Sequence, residues 1–279
     1  MTFRRLSCAA ILPLVDQSYQ ERAPVPALAG LVSATWVQTT GTEPYRHRGI
    51  PNGSVELRCR IGATPQLVGP LTRPVTETLP AGTTVVGVRF HPGAAAAVLG
   101  LPTAELADLA VDVDDVWGRQ RLDSTDLMQR FLLGRMTRPD PLIAEAVRRL
   151  RPGATSDVTT LRESLAISER QFRRRCQDTI GLAPKALHRM LRFQGFLAQT
   201  QFALAQGQPP AGLARLATDT GYADQAHLTR ECLRLTGVTP RAFLTETAEQ
   251  CGCGHDHAAS YTPVLRMAGL FKNGVPAGA

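Results

Sequence analysis

Two stretches of the chain concentrate side chains able to do chemistry. The first is Gly221-Tyr222-Ala223-Asp224-Gln225-Ala226-His227-Leu228-Thr229-Arg230, followed by Gly237-Val238-Thr239-Pro240. Asp224 is placed to cap a helix whose early turns carry Gln, His, Thr and Arg. Arg can bridge guanine O6 and N7, and Gln can bridge adenine N6 and N7. Gly221 supplies a tight turn in front, and an apolar helix precedes it. This is the way a helix-turn-helix unit offers a recognition helix to the DNA major groove.

The second stretch is Cys251-Gly252-Cys253-Gly254-His255-Asp256-His257. Two thiols and two imidazoles are zinc ligands in type. Their spacing is tighter than the usual ligand loops, and Cys8, Cys59, Cys176 and Cys232 are too scattered to add a second pair. Such a tract is a compositional hint and not a geometry. Cys251, Cys253, His255 and His257 are therefore the weak metal candidates, set against a flexible tail that scavenges metal. No P-loop, GxSxG, HExxH or GxGxxG occurs, and Asp114 and Asp115 are adjacent and point apart on most backbones. No enzymatic activity and no cofactor are expected.

The charge is unevenly placed. Residues 145–247 hold 15 Arg and Lys against 9 Asp and Glu, residues 1–144 hold 14 against 13, and the tail from Ala248 holds 2 against 2. Nearly all of the net +7 thus sits in one third of the chain, as expected if only that third meets a polyanion. No apolar run approaches the ~18 residues of a membrane span. A cytoplasmic location with reduced thiols is expected, and no membrane partner.

The elements that must hold these residues fall into two halves. An edge strand could form around Ile11-Leu12-Pro13-Leu14-Val15. Alternation predicts strands over about Ser54 to Ile61, Gln66 to Leu71 and, most clearly, Thr83 to Phe90. Leu28 to Val37 reads as a short helix or strand leading into a strand. Short helical segments follow at Ala94 to Leu99 and from Pro102, and a longer one from Asp123 to Leu133. His47, flanked by Arg46 and Arg48, and His91 could line an effector or metal pocket, with a surface basic cluster and a strand-end histidine as the other readings. Cys59 reads as core, and Arg89 as one end of an internal salt bridge. Thr137-Arg138-Pro139-Asp140-Pro141 is expected to be a hinge. Beyond it the pattern is helical throughout: Leu142 to Leu150, Val158 to Leu165, Ser168 to about Thr179, Pro184 to about Gln206, Gly212 to Thr220, Asp224 to Gly237, and a last helix from Pro240.

The helical half repeats itself. Ser168-Glu169-Arg170-Gln171-Phe172-Arg173-Arg174-Arg175-Cys176 aligns with Asp224-Gln225-Ala226-His227-Leu228-Thr229-Arg230-Glu231-Cys232, and both copies reach Gly-x-x-Pro. The helix between them, about 23 residues long, would span ~34 Å, which is also about one turn of B-DNA. One chain could therefore set two recognition helices, about 168–179 and 224–236, in successive major grooves.

On these residues the chain resembles an AraC-type transcriptional regulator over roughly Pro141 to Ala248. The specific part is Ala217-x-x-x-Gly221-Tyr222-x-Asp224-Gln225-x-His227-x-x-Arg230 with Gly237-x-Thr239-Pro240-x-x-Phe243. The first half, through Val86-Gly87-Val88-Arg89-Phe90-His91-Pro92-Gly93 and Leu99-Gly100-Leu101-Pro102, resembles a β-rich domain of unknown function found ahead of this module. The resemblance implies an α+β multidomain protein. A small β-rich domain with flanking helices (1–136) would senses or dimerises; an all-α domain of two helix-turn-helix units on a long linker helix (141–248) would bind double-stranded DNA; 249–279 would be a flexible tail. It implies DNA contacts at Ser168, Arg170, Arg173, Arg174, Arg175, Gln225, Ala226, His227, Thr229 and Arg230. Of these, Arg170, Arg173, Arg174, Gln225, Thr229 and Arg230 would face bases, and His227 a phosphate. RNA polymerase, a small-molecule effector and a second copy of the chain are further partners it admits. Cys176 and Cys232 depart from the family's aromatics at those sites; a small buried hydrophobe is the expected reading and a thiol switch the other. The alternative function is a metal- or redox-responsive sensor built on the Cys/His tail.

Overall fold

The computed structural model describes residues 18–150, 157–205 and 212–250, with a short antiparallel strand pair at 271–272 and 275–276. The expected edge strand near Ile11 and the Cys251–His257 tract lie outside the described residues.

Strand β7 (Thr84–Phe90) is the centre of the first half. Its even residues Val86, Val88 and Phe90 are buried in a core with Leu28, Leu57, Cys59, Met128 and Leu132. It stands between β2 (Val32–Thr39) and β4 (Glu56–Arg60) in an antiparallel sheet of six strands. The outer members are β1 (Ser18–Arg22) beside β2, then β5 (Gln66–Val68) and β8 (Ala110–Asp112) beyond β4. Helices α1 (Ala96–Leu99), α2 (Val113–Trp117) and α3 (Thr125–Arg135) supply residues to the same core. The segment after Pro102, read as helical, is a 3-10 turn over Thr103–Leu106.

A separate ribbon of β3 (Tyr45–Gly49) and β6 (Val75–Leu79) accompanies the sheet, with Leu79 buried against Trp36 and Val85. Arg46-His47-Arg48 thus lies on a strand, with Arg46 exposed and His47 and Arg48 half-buried. His47 is opposite Glu77, and burial lowers its pKa, with Glu56 and Glu77 acting the other way. Arg89, on the odd face of β7, donates to Glu21 and Glu56 at 2.7 Å each and to the Tyr19 hydroxyl at 3.1 Å. The internal salt bridge expected of Arg89 is therefore a three-partner cluster tying β1, β7 and β4 together.

The second half is helical as expected: α4 (Pro141–Arg149), α5 (Val158–Ser164), α6 (Glu169–Ile180), α7 (Pro184–Ala205), α8 (Leu213–Asp219), α9 (Gln225–Thr236) and α10 (Pro240–Gln250). The N-termini of α4, α5, α6 and α9 have a local cause. Asp140 accepts from the Leu142 and Ile143 amides, Asp157 from Thr160, Ser168 from Gln171 and Asp224 from His227. At Ser168 the capping box is complete, because Gln171 reaches back to the Ser168 amide.

The stretch expected to be a hinge makes contacts with both halves. The Thr137 amide and hydroxyl both donate to Ala97 O at 2.8 Å, and Asp140 pairs with Arg175 at 2.9 Å. The two halves also share packing. Ile50 packs into the helical core, the Thr103 hydroxyl donates to Thr179 O at 3.0 Å, and Gln194 Nε2 donates to Pro51 O at 3.5 Å.

Candidate nucleic-acid interface

Each of the two twelve-residue helices α6 and α9 has one buried stripe. In α6 it is Phe172, Cys176 and Ile180; in α9 it is Leu228, Cys232 and Leu235, all 2 % exposed or less. The i, i+4 spacing of Phe172–Cys176 and Leu228–Cys232 is the register seen in the repeat, and it seats both helices alike.

With those residues inward, the rest of each early turn faces out. Ser168, Arg170, Arg173, Arg174 and Arg175 are exposed around α6, as are Gln225, Ala226 and Arg230 around α9; His227 and Thr229 are half-buried. Arg170, Arg173 and Arg174 stand at i, i+3 and i+4 and so share a face. Arg175 is turned toward α4, where its guanidinium is paired with Asp140 at 2.9 Å. Thr229 donates its hydroxyl to Gln225 O at 2.9 Å, which ties that hydroxyl to the helix backbone. His227 Nδ1 accepts from the Ala223 amide at 3.4 Å. That bond assigns the ring proton to Nε2, which becomes the donor available to an anion.

Further contacts position α9. Glu231 faces Arg189 of α7 at 3.5 Å. Tyr222, in the turn before α9, has the Arg192 guanidinium 5.5 Å above its ring and His227 5.2 Å away in an edge arrangement. The α8–α9 turn is closed by the Tyr222 amide donating to Ala217 O at 2.9 Å.

Cys176 and Cys232 are fully buried, and burial pushes their thiols up to about 12 and about 11. Neither forms appreciable thiolate at neutral pH, and thiolate is the reactive species. Iodoacetamide at pH 8 is therefore expected to leave both unmodified in the folded chain and to label them on denaturation, read by peptide mass mapping. Labelling of either in the native state at the rate of an exposed thiol would revive the switch reading. Among the described residues no group of three or more His, Cys, Asp or Glu is arranged to hold a metal. No helix of the described residues is long and apolar enough to cross a membrane.

Comparison with known proteins gives two domain matches. Residues 161–246 match the model of a helix-turn-helix domain. Residues 20–112 match a domain of unknown function, DUF6597. No curated protein sequence matches the chain. Among solved structures, an apo variant of ToxT from Vibrio cholerae strain SCE256 is 12 % identical with a TM-score of 0.37, over 83 % of this chain and 95 % of that one. ToxT from Vibrio cholerae O395 is 10 % identical with a TM-score of 0.38, over 82 % and 96 %. Wild-type ToxT bound to an unsaturated fatty acid is 11 % identical with a TM-score of 0.35, over 83 % and 94 %. At that level of likeness they carry no inference about this chain. Residues 161–246 are a helix-turn-helix domain of the AraC type, and the chain carries this DNA-binding module of transcriptional regulators behind an N-terminal DUF6597 domain.

Proposed function

From an AraC-type module standing behind a β-rich domain, we propose that this chain is a sequence-specific transcriptional regulator that sets α6 and α9 in successive major grooves under the control of its N-terminal half. The supporting observation is the matched pair itself. Two helices with the same buried register carry Arg, Gln and Thr on their early turns and are joined by α7, whose 22 residues span ~33 Å, close to the ~34 Å helical repeat of B-DNA.

In this reading Arg170, Arg173, Arg174 and Arg230 address guanines, and Gln225 an adenine. Ala226 and the Thr229 methyl offer apolar contact to thymine methyls. Ser168 and His227 meet phosphate oxygens. Arg175 serves α4 first, and reaches DNA only by leaving Asp140. Residues 141–248 are the reader, 1–136 the controlling domain and 249–279 a tail outside both. Control requires a signal, small molecule or second subunit, that favours one arrangement of the halves over another; RNA polymerase is the partner through which an activating regulator would act.

The test is selection of binding sites from random DNA by the full chain, then footprinting. Arg230→Ala is expected to weaken binding to the selected site by about 1–3 kcal/mol and to relax one base position, with a steep loss of affinity as salt rises. Equal loss on every sequence would reassign Arg230 to a phosphate, and a flat salt dependence would sink the DNA reading.

A further inference from the structure

Arg192 and His188 lie one turn apart on α7, at the junction between the two helix-turn-helix units. On one side is Asp157, the N-cap of α5 in the first unit, close enough to His188 to act on its charge. On the other is the α8–α9 turn of the second: the Arg192 guanidinium is 5.5 Å over the Tyr222 ring, and its Nε is 3.9 Å from where a Cβ on Gly221 would stand. Arg192 Nη2 donates to His188 Nε2 at 3.3 Å, and the ring beneath and the imidazole beside it fix the guanidinium plane.

This arginine differs from its neighbours in how its charge is met. Arg189 is paired with Glu231, Arg175 with Asp140, and Arg149 with Glu145. Among the described residues, no carboxylate is paired with Arg192 within 4.0 Å, although the residue is half-buried. A guanidinium drawn partly out of water without a carboxylate keeps donors unused, and its planar fork suits a phosphate.

Its direction fits that ligand. At ~100° per residue, Arg192 stands roughly 160° around α7 from Gln194, the residue that reaches back to Pro51 of the N-terminal half. It therefore lies on the side of α7 away from that half. When two recognition helices occupy successive major grooves on one face of a duplex, the backbone between the grooves passes the junction of the units.

Resting on the DNA-reading function proposed above, we infer that Arg192, oriented by His188 and Tyr222, is a seat for a backbone phosphate of the DNA between the two half-sites. It carries no sequence information. It fixes the spacing at which the two units engage, because it belongs to the helix that joins them.

The experiment uses the full chain and its selected DNA site. Arg192→Gln is expected to weaken binding several-fold and equally on the site and on its single-base variants. The log–log salt slope becomes shallower by about 0.9, one phosphate contact. Arg192→Lys keeps the slope. A neutral methylphosphonate scanned through the segment between the half-sites should find one position that lowers wild-type affinity and adds nothing to Arg192→Gln. That scan leaves the protein unaltered, so it holds even where Arg192→Gln disturbs the Tyr222 turn. An unchanged slope, or additive losses at every phosphate between the half-sites, overturns the seat while the reader stands. Failure to select any site overturns the reader and the seat together.

Discussion

Arg89→Met is expected to lower the unfolding free energy of the N-terminal domain by the lower part of the about 3–5 kcal/mol typical of removing one partner from a buried ion pair. The cost comes from what remains. Arg89 is the shared cation of Glu21 and Glu56, and it also holds the Tyr19 hydroxyl. The side chains of Glu21, Glu56 and Arg89 are 7 %, 23 % and 26 % exposed. The substitution strands a carboxylate that is nearly out of water, and the partial exposure of the other two groups is the reason for the lower part of the range. Tyr19 adds to the loss, because it stacks on Trp36 at 6.0 Å and also donates its hydroxyl to Glu21. Burial raises the Tyr19 pKa, so that hydroxyl is a donor throughout the accessible pH range. Both tryptophans of the chain, Trp36 and Trp117, lie in this half, so tryptophan fluorescence during urea unfolding follows this domain. Glu21→Gln with Glu56→Gln on the Arg89→Met background should recover much of the loss. A change below about 1 kcal/mol would be that of a surface pair, and would mean the cluster does not hold β1 to the sheet.

That cluster also marks how far the sequence could be read. The charge of Arg89 amid apolar neighbours on β7 called for an internal partner, but nothing local named Glu21 or Glu56, which come from other strands. The same division runs through the fold. Helices α6 and α9 were legible to within a residue or two because caps and period are local: Ser168 with Gln171, Asp224 with the His227 amide, and Phe172–Cys176 beside Leu228–Cys232. Strand β7 was legible because its core residues alternate. Strands β3 and β6 were not, since Tyr-Arg-His-Arg-Gly and Val-Thr-Glu-Thr-Leu bury little and owe their form to pairing with each other. In the interface, residue types and outward faces could be foreseen. The diversion of Arg175 to Asp140, 35 positions away, could not, nor could the stacking of Arg192 on Tyr222. Least visible of all was the contact between the halves, whose hydrogen bond from Thr103 to Thr179 spans 76 positions.

Gly181→Ala tests that contact, and its effect is expected to exceed that of the same change at Gly237. The two glycines are equivalent in the repeat. Each ends α6 or α9 with φ of +80°, and a Cβ in that left-handed conformation costs about 1–2 kcal/mol. They differ in what surrounds them. A Cβ on Gly237 would meet nothing nearer than Pro74 Cγ at 4.0 Å, whereas on Gly181 it would lie 2.8 Å from Pro70 Cγ and 2.9 Å from Thr103 O. Pro70 and Thr103 belong to the N-terminal half, and a backbone oxygen cannot rotate away. Over-packing of this kind typically adds about 1–3 kcal/mol, so Gly181→Ala should be the worse of the two by that margin in chemical unfolding of the full chain. The alternative to bearing that strain is for the halves to separate at the Thr103–Thr179 bond. In that case Gly181→Ala loses the protection of the Thr103 region against hydrogen exchange while Gly237→Ala keeps it. Equal losses for the two glycines, with equal protection, would mean that the halves are not held together at this surface. The proposed control by the N-terminal domain would then have to reach α6 through some route other than its end.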